Sequence, residues 1–149
     1  EFDLAVSLNL RCAFQCMQAL LPGMRAAGFG RIVNMSSRAA LGKELRTAYS
    51  ATKAGLIGMT RVWALELGAH GITANAIGPG PIRTALFDKA NPPGAPRTQA
   101  IIDAVPVKRV GTPDDVAHAV AFLLDAKSGF ITGQVLYVFG GRTVGVAGV

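Results

Sequence analysis

Apolar residues recur every fourth position through Leu4, Leu8, Cys12, Cys16, Leu20 and Met24, the repeat of one helical face. A long helix is therefore expected over residues 3–27, with Pro22-Gly23 kinking or weakening its last turn and Gly28 and Gly30 ending it. The period then changes. Arg31-Ile32-Val33-Asn34-Met35-Ser36 is a short β-rich run entering a loop. Thr47 stands as N-cap to a second long helix over residues 48–69, closed by Gly68 and Gly71. Ile72-Thr73-Ala74-Asn75-Ala76-Ile77 is the next expected strand, which Gly78-Pro79-Gly80-Pro81 should stop. Residues 84–106 lose periodicity around Asn91-Pro92-Pro93-Gly94-Ala95-Pro96, a turn-rich stretch flanked by short helical pieces, and long irregular connections of this kind are usually functional or mobile. Thr112-Pro113-Asp114-Asp115 opens a third helix with a Thr cap, Pro at its first position and acids in its first turn; it runs to Asp125. Gln134-Val135-Leu136-Tyr137-Val138 is a last buried strand, followed by Gly140-Gly141 and a small apolar tail.

Helices and strands alternating in this order predict an α/β fold, a parallel sheet covered by helices on both faces. Ligands of such sheets lie outside the carboxyl ends of the strands, which directs attention to the loops after Ser36 and Ile77. Composition sharpens the picture. A chain of 149 residues fits one domain. Half of its residues are apolar before its 18 glycines are counted, and only 16% are charged, against about 25% charged in ordinary domains. Some of its surface must be buried against a layer the chain does not itself supply. Cys12 and Cys16, four apart on the expected helix, read as small core residues, and neither a disulfide framework nor a metal site is indicated. The net charge of +6 raises nucleic-acid binding. However, the basic residues are scattered, with Lys108-Arg109 the only adjacent pair and no aromatics interleaved, so nucleic acid is set aside. No uninterrupted apolar run reaches the roughly 18 residues of a membrane span. Glu1-Phe2-Asp3 is unlike a signal-peptide start, so a soluble cytoplasmic protein without a membrane partner is expected.

Tyr49 and Lys53 stand at i and i+4, on one face of the second helix. A phenol ordinarily ionises near pH ~10, outside the working range of acid/base chemistry, and a cation held beside it favours the phenolate. By itself this pair reads better as a solvated helix face. Ser36-Ser37, leaving the preceding strand, could add a hydroxyl donor to an oxygen that gains charge in hydride transfer.

Asn34-Met35-Ser36-Ser37, Tyr49 with Lys53, and Asn75-Ala76-Ile77-Gly78-Pro79-Gly80-Pro81-Ile82-Arg83-Thr84 together resemble the short-chain dehydrogenase/reductase family. Asn9-Leu10, Arg109-Val110-Gly111-Thr112-Pro113-Asp114-Asp115-Val116 and Thr132-Gly133-Gln134 extend the resemblance through the whole chain. It implies a Rossmann-like doubly wound parallel sheet and an oxidoreductase that interconverts a secondary alcohol and a ketone with NAD or NADP. It implies that Tyr49 is the acid/base, that Lys53 assists it and holds the nicotinamide ribose, that Ser37 orients the reacting oxygen, and that Asn9 anchors a water linking Lys53 to solvent. Ser36 remains the alternative to Ser37, since many relatives have one more residue between this serine and the tyrosine. Pro79, Gly80, Ile82 and Thr84 are implied to wrap the nicotinamide end of the cofactor, although Pro-Gly here would equally serve a plain turn. Residues 84–106 become a substrate lid, with Leu86, Phe87, Ile101, Ile102 and Val105 as its apolar lining. His70 and His118 match none of these roles and read as surface or packing residues.

Two departures stand out. Phe139 occupies a position where relatives usually carry an acid, which should affect packing of the C-terminal tail. The Gly-rich turn from strand to helix that meets a pyrophosphate is not found; Gly28-Phe29-Gly30 precedes a strand and lacks the third glycine. The chain is therefore expected to be the catalytic, C-terminal half of a single dinucleotide-binding domain, its N-terminal half absent. Two readings follow: a small-molecule oxidoreductase in its complete form, or a non-catalytic packing module. The near all-round apolar helices 3–27 and 48–69, including Trp63, Leu65 and Leu67, further predict a homodimer or homotetramer.

Overall fold

The computed structural model describes residues 1–144. A continuous helical rod, Phe2–Ala27, is made of α1 (Phe2–Val6), a π-helical turn (Ser7–Arg11) and α2 (Cys12–Ala27). Pro22 lies inside α2 without ending it, and Gly28 ends it in the left-handed conformation (φ 61°). Strands β1 (Gly30–Met35), β2 (Ile72–Pro79) and β3 (Val135–Val138) form one parallel sheet in that order. Gly30 pairs with Ile72 and Met35 with Ile77; Ala76 pairs with Val135 and Pro79 with Val138. α3 (Thr47–Leu67) connects β1 to β2. α4 (Ala85–Ala90), α5 (Pro96–Asp103) and α6 (Pro113–Leu124) lie between β2 and β3.

The pleat of β2 divides the core into two layers. Ile72 and Ala74 meet Trp63, Ala64 and Leu67 of α3, with Met17, Leu21 and Met24 of α2 packed against them. Ile77 meets Ala119 and Leu123 of α6 on the other face, with Val33, Val120 and Val138 around them. Helices on both faces of a parallel sheet are the architecture the alternating order predicted. β2, paired on both edges, is buried from Ile72 to Gly78. Two buried asparagines are paired: Asn34 Nδ2 donates to Thr60 Oγ1 (2.8 Å), and Asn75 Nδ2 donates to the Ile131 carbonyl (2.7 Å).

Four expectations are corrected. Cys12 and Cys16 are exposed, as are Leu4, Leu8 and Leu20, so the four-residue apolar series is the outward face of the rod as far as Leu20, and only its last member, Met24, turns inward. A second stripe, Met17, Leu21 and Met24, turns to the sheet, and a Cβ on Gly55 would sit 3.0 Å from Leu10 Cδ1. Thr47 is the first helical residue of α3; its N-cap is Arg46, which contributes no side-chain bond. β2 continues through Gly78 to Pro79. Ala76 and Gly80 donate to β3, so residue 79 would donate toward β1, which has already ended at Met35, and a missing N–H costs nothing there. Finally, Phe2–Ala27 is long and apolar enough by length and composition to cross a membrane. Looking for unbroken apolar runs missed this, because polar residues such as Gln15 and Gln18 interrupt the pattern. A helix covered by protein on its second face passes the same test.

The start of α6 matches expectation in detail. Thr112 and Asp115 form a reciprocal capping box, and Arg109 donates twice to the Asp115 carboxylate, at 2.6 and 2.9 Å. The Arg109 guanidinium, helped by the Thr112 backbone N–H, holds the Asp115 carboxyl far below the usual carboxylate range. A carboxyl depressed in the fold stabilises it above the unfolded value and loses that contribution as pH falls. Asp115→Asn is therefore expected to be less stable than wild type at neutral pH, and the difference should shrink as urea-unfolding midpoints are followed below pH ~4. A difference constant down to pH ~2 would contradict the assignment.

Candidate active site

The three parallel strands all end on one side, and the candidate residues gather there. Tyr49 lies in the first turn of α3 and is 37% exposed. Lys53 follows one turn later on the same face, its Nζ 5.6 Å from the Tyr49 ring centroid. The ammonium is held from below by the carbonyl of Met35, the last residue of β1, to which it donates at 2.7 Å. Burial pushes the Lys53 ammonium below its ordinary value, with Cys12 opposing.

The two serines part company. Ser36 is buried and donates to the Lys53 carbonyl (2.7 Å), tying the end of β1 to α3. Ser37 is half-buried and caps the 3-10 turn Arg38–Leu41 by accepting from the Ala39 N–H (3.1 Å). A hydroxyl that accepts one such bond keeps its own proton to donate. Ser36 has spent its proton inside the fold.

Asn9 falls in the π-helical turn Ser7–Arg11, half-buried, its Nδ2 donating to the Ala5 carbonyl (3.1 Å). The turn shifts the backbone ladder by one residue: the Cys12 N–H reaches back to Ser7, and the Leu8 carbonyl is met instead by the Cys12 thiol (2.8 Å). π-turns inside α-helices occur frequently at functional sites. Nothing in the sequence signals this one.

Pro79, Gly80, Ile82 and Thr84 leave the carboxyl end of β2, beside β1. Gly80 has no room for a side chain, since a Cβ would lie 2.5 Å from Phe139 Cβ and 2.8 Å from its Cα. Phe139 stacks on Tyr137 (5.3 Å between centroids) and packs against the β2 end at Gly80; the tail residues 145–149, on which its effect was expected, lie outside the described residues. Ile82 bridges to Gly111, and the Thr84 hydroxyl caps α4 by accepting from the Phe87 N–H (3.2 Å). A cavity of about 170 Å³ beside Ile82 is lined by Pro81, Val107, Val138 and Phe139 among others.

Residues 84–106 fold as α4 and α5 with turns between, the short helical pieces expected on either side of the turn-rich stretch. Val105 is buried against Gly140 and anchors this segment, whereas Leu86 is 78% exposed. Sequence reasoning also missed a cavity of about 400 Å³ lined by Arg83, Lys108 and Arg109. It holds none of Ser37, Tyr49 and Lys53. His70 and His118 are exposed, as expected. No group of His, Cys, Asp and Glu among the described residues could hold a metal ion.

The described residues form a parallel α/β unit with a phenol, an ammonium and a hydroxyl at the carboxyl ends of its strands. A family model described as enoyl-(acyl carrier protein) reductase matches residues 1–143. The BbsD subunit of a (2S)-((R)-hydroxy(phenyl)methyl)succinyl-CoA dehydrogenase of Thauera aromatica is 44% identical over 97% of this chain and 57% of its own length. The 3-oxoacyl-acyl-carrier-protein reductase FabG of Rickettsia prowazekii is 39% identical over 95% of this chain and 58% of its own length. The solved structure of ElxO with NADP bound is 34% identical, with a TM-score of 0.89 over 95% of this chain and 58% of ElxO. The chain belongs to the short-chain dehydrogenase/reductase family, and it spans somewhat over half the length of these relatives.

Proposed function

We propose that the protein, in its complete form, transfers hydride between a nicotinamide dinucleotide and a secondary alcohol or ketone. The observation that most supports this is the Lys53 ammonium held by the Met35 carbonyl on the Tyr49 face at the carboxyl end of the sheet. Tyr49 gives its phenolic proton to the carbonyl oxygen in reduction and takes it from the alcohol in oxidation. Lys53 favours the phenolate by its charge. Ser37 donates its free proton to the reacting oxygen. Asn9, beside the π-turn, anchors the water through which protons reach Lys53.

The nicotinamide end of the cofactor fits the residues present. Gly80 packs directly on Phe139, with no room for a Cβ, which fixes the turn leaving β2. Pro79, Ile82 and Thr84 on that turn would flank the nicotinamide, and Lys53 would hold the ribose. When bound, the nicotinamide supplies or accepts the hydride. Among the described residues no Gly-rich strand-to-helix turn offers a pyrophosphate cradle, so that part of the cofactor needs residues beyond these. The test is consumption of NADH or NADPH by the complete protein with a panel of ketones, read as loss of reduced-nicotinamide absorbance. No turnover with either cofactor would count against the reading.

We infer further that the outward apolar faces of the rod and of α3 meet a second copy, in a homodimer or homotetramer. Leu4, Leu8 and Leu20 on the rod and Val62 and Leu65 on α3 are all exposed, an apolar surface of the kind that marks interfaces. Leu65→Glu is expected to shift the complete protein toward monomer in sedimentation velocity. An unchanged sedimentation coefficient at micromolar concentration would argue that this face lies outside the interface.

A further inference from the structure

Residues 84–104 form a hairpin of their own. Asn91 Nδ2 donates to the Phe87 carbonyl (3.0 Å) and Thr98 Oγ1 to the Pro92 carbonyl (2.7 Å), which stitches α4, the Pro-rich turn and α5 together. Two stalks join this hairpin to the sheet layer, and both are pinned at the base. At the first, the Arg83 N–H donates to the Gly111 carbonyl and the Gly111 N–H to the Pro81 carbonyl. At the second, Val105 is buried and the Val107 N–H reaches the Gly140 carbonyl. The cavity of about 400 Å³ is lined by Arg83 from the first stalk, Lys108 from the second and Ile102 from α5. α5 therefore borders open space, and its position depends on what holds its ends.

Its carboxyl end is held by two cations. A helix leaves its last four carbonyls without helical partners. The Ala104 N–H meets the Ala100 carbonyl and the Val105 N–H meets Ile102. Side chains meet the other two: Arg142 Nη1 donates to the Ile101 carbonyl (3.0 Å) and Lys108 Nζ to the Asp103 carbonyl (2.7 Å). Positive charge is favoured at that end of a helix, and a charged donor makes the stronger hydrogen bond. Arg142 comes from beyond β3, 41 residues along the chain. Among the described residues, its bond is the one hydrogen bond that reaches α4 or α5 from outside residues 83–108. Lys108 takes φ 56°, a left-handed conformation ordinarily left to glycine. A lysine at such a position is accounted for by the bond its side chain makes.

We propose that Arg142 and Lys108 are positioning residues that latch this hairpin over the site and thereby set KM without touching substrate. That the latched hairpin covers a ketone rests on the oxidoreductase reading; that two cations fix α5 does not. With the latch broken, the hairpin is closed for only part of the time. Substrate binds the closed fraction, so its apparent dissociation constant rises by the inverse of that fraction. At saturation the hairpin is closed again, and kcat holds.

Amide hydrogen exchange on the complete protein, with no ligand added, reads the latch directly. Arg142→Gln and Lys108→Gly should each speed exchange across α5 at least about fivefold and leave α6 as in wild type. Lys108→Gly is the sharper variant: glycine accepts φ 56° without strain, so the hairpin loosens while the global unfolding midpoint holds. Lys89→Gln, which removes an exposed charge from α4, should match wild type. In turnover of an accepted ketone, Arg142→Gln should raise KM about tenfold with kcat within about twofold. Arg142→Lys, which keeps the charge at the helix end, should recover most of that loss. Unchanged α5 exchange in both variants overturns the proposal, as does an equal rise in α5 and α6, which marks general destabilisation. A fall in kcat at constant KM also overturns it. Faster α5 exchange in a protein that turns over no ketone with NADH or NADPH upholds the latch and counts against the oxidoreductase reading instead.

Discussion

Tyr49→Phe is expected to lower kcat for ketone reduction by about 10²–10⁴-fold, the usual contribution of a positioned acid or base. The substitution removes one oxygen and keeps the ring that stands 5.6 Å from the Lys53 ammonium. Tyr49 is over a third exposed and its hydroxyl makes no hydrogen bond within the fold, so stability should stay within about 0.5 kcal/mol. The loss should fall on kcat, because the phenolic proton matters only as the substrate oxygen changes charge. Lys53→Met should cost activity at least as heavily and should also weaken cofactor binding, since Lys53 is assigned both roles. Combining the two should cost little beyond the larger single loss, because the pair acts as a unit. Single-turnover rates and folded fractions, measured together on each variant, check this. Full activity in folded Tyr49→Phe would remove Tyr49 from the mechanism.

That Tyr49 and Lys53 share a face was legible because helical spacing is a local property. Ser37 is preferred to Ser36 on the resemblance alone; what the sequence does not show is that Ser36 donates its proton to a carbonyl 17 residues away. The π-turn around Asn9 left no trace in the spacing either. Charge behaved the same way. The basic residues are scattered along the chain, yet the fold brings Arg142 onto α5, where it donates to the Ile101 carbonyl. The strands were read within two residues because β-branched runs and glycines mark their ends, and only Pro79 misled, its missing N–H falling where no partner strand remains. The rod misled more. Both of its stripes are apolar, and spacing alone could not say that Met17, Leu21 and Met24 face the sheet while Leu4, Leu8 and the two cysteines face outward.

Leu67→Ala is expected to destabilise the fold by about 2–5 kcal/mol, a large part of the roughly 5–15 kcal/mol that holds a domain together. Leu67 is 2% exposed at the end of α3, packed with Trp63, Ala64, Ile72 and Ala74 where that helix closes onto the first residues of β2. The site cannot collapse easily around a shortened side chain. The backbone beside it is already tight at Gly71, in the turn between α3 and β2, where a Cβ would lie 2.2 Å from the Gly28 carbonyl oxygen. Trp63 is the chain's single tryptophan and touches the cavity, so its fluorescence during urea unfolding reads the loss directly. The midpoint should fall while the slope holds, because the same surface is exposed on unfolding. Leu65→Ala, two residues earlier and 87% exposed, is the matched control. If its face is covered by a second copy, its cost should appear at high protein concentration and fade on dilution below the dimer's dissociation constant, whereas the cavity term of Leu67→Ala persists. Equal and concentration-independent losses at both positions would show that the inward and outward stripes of α3 have been assigned wrongly.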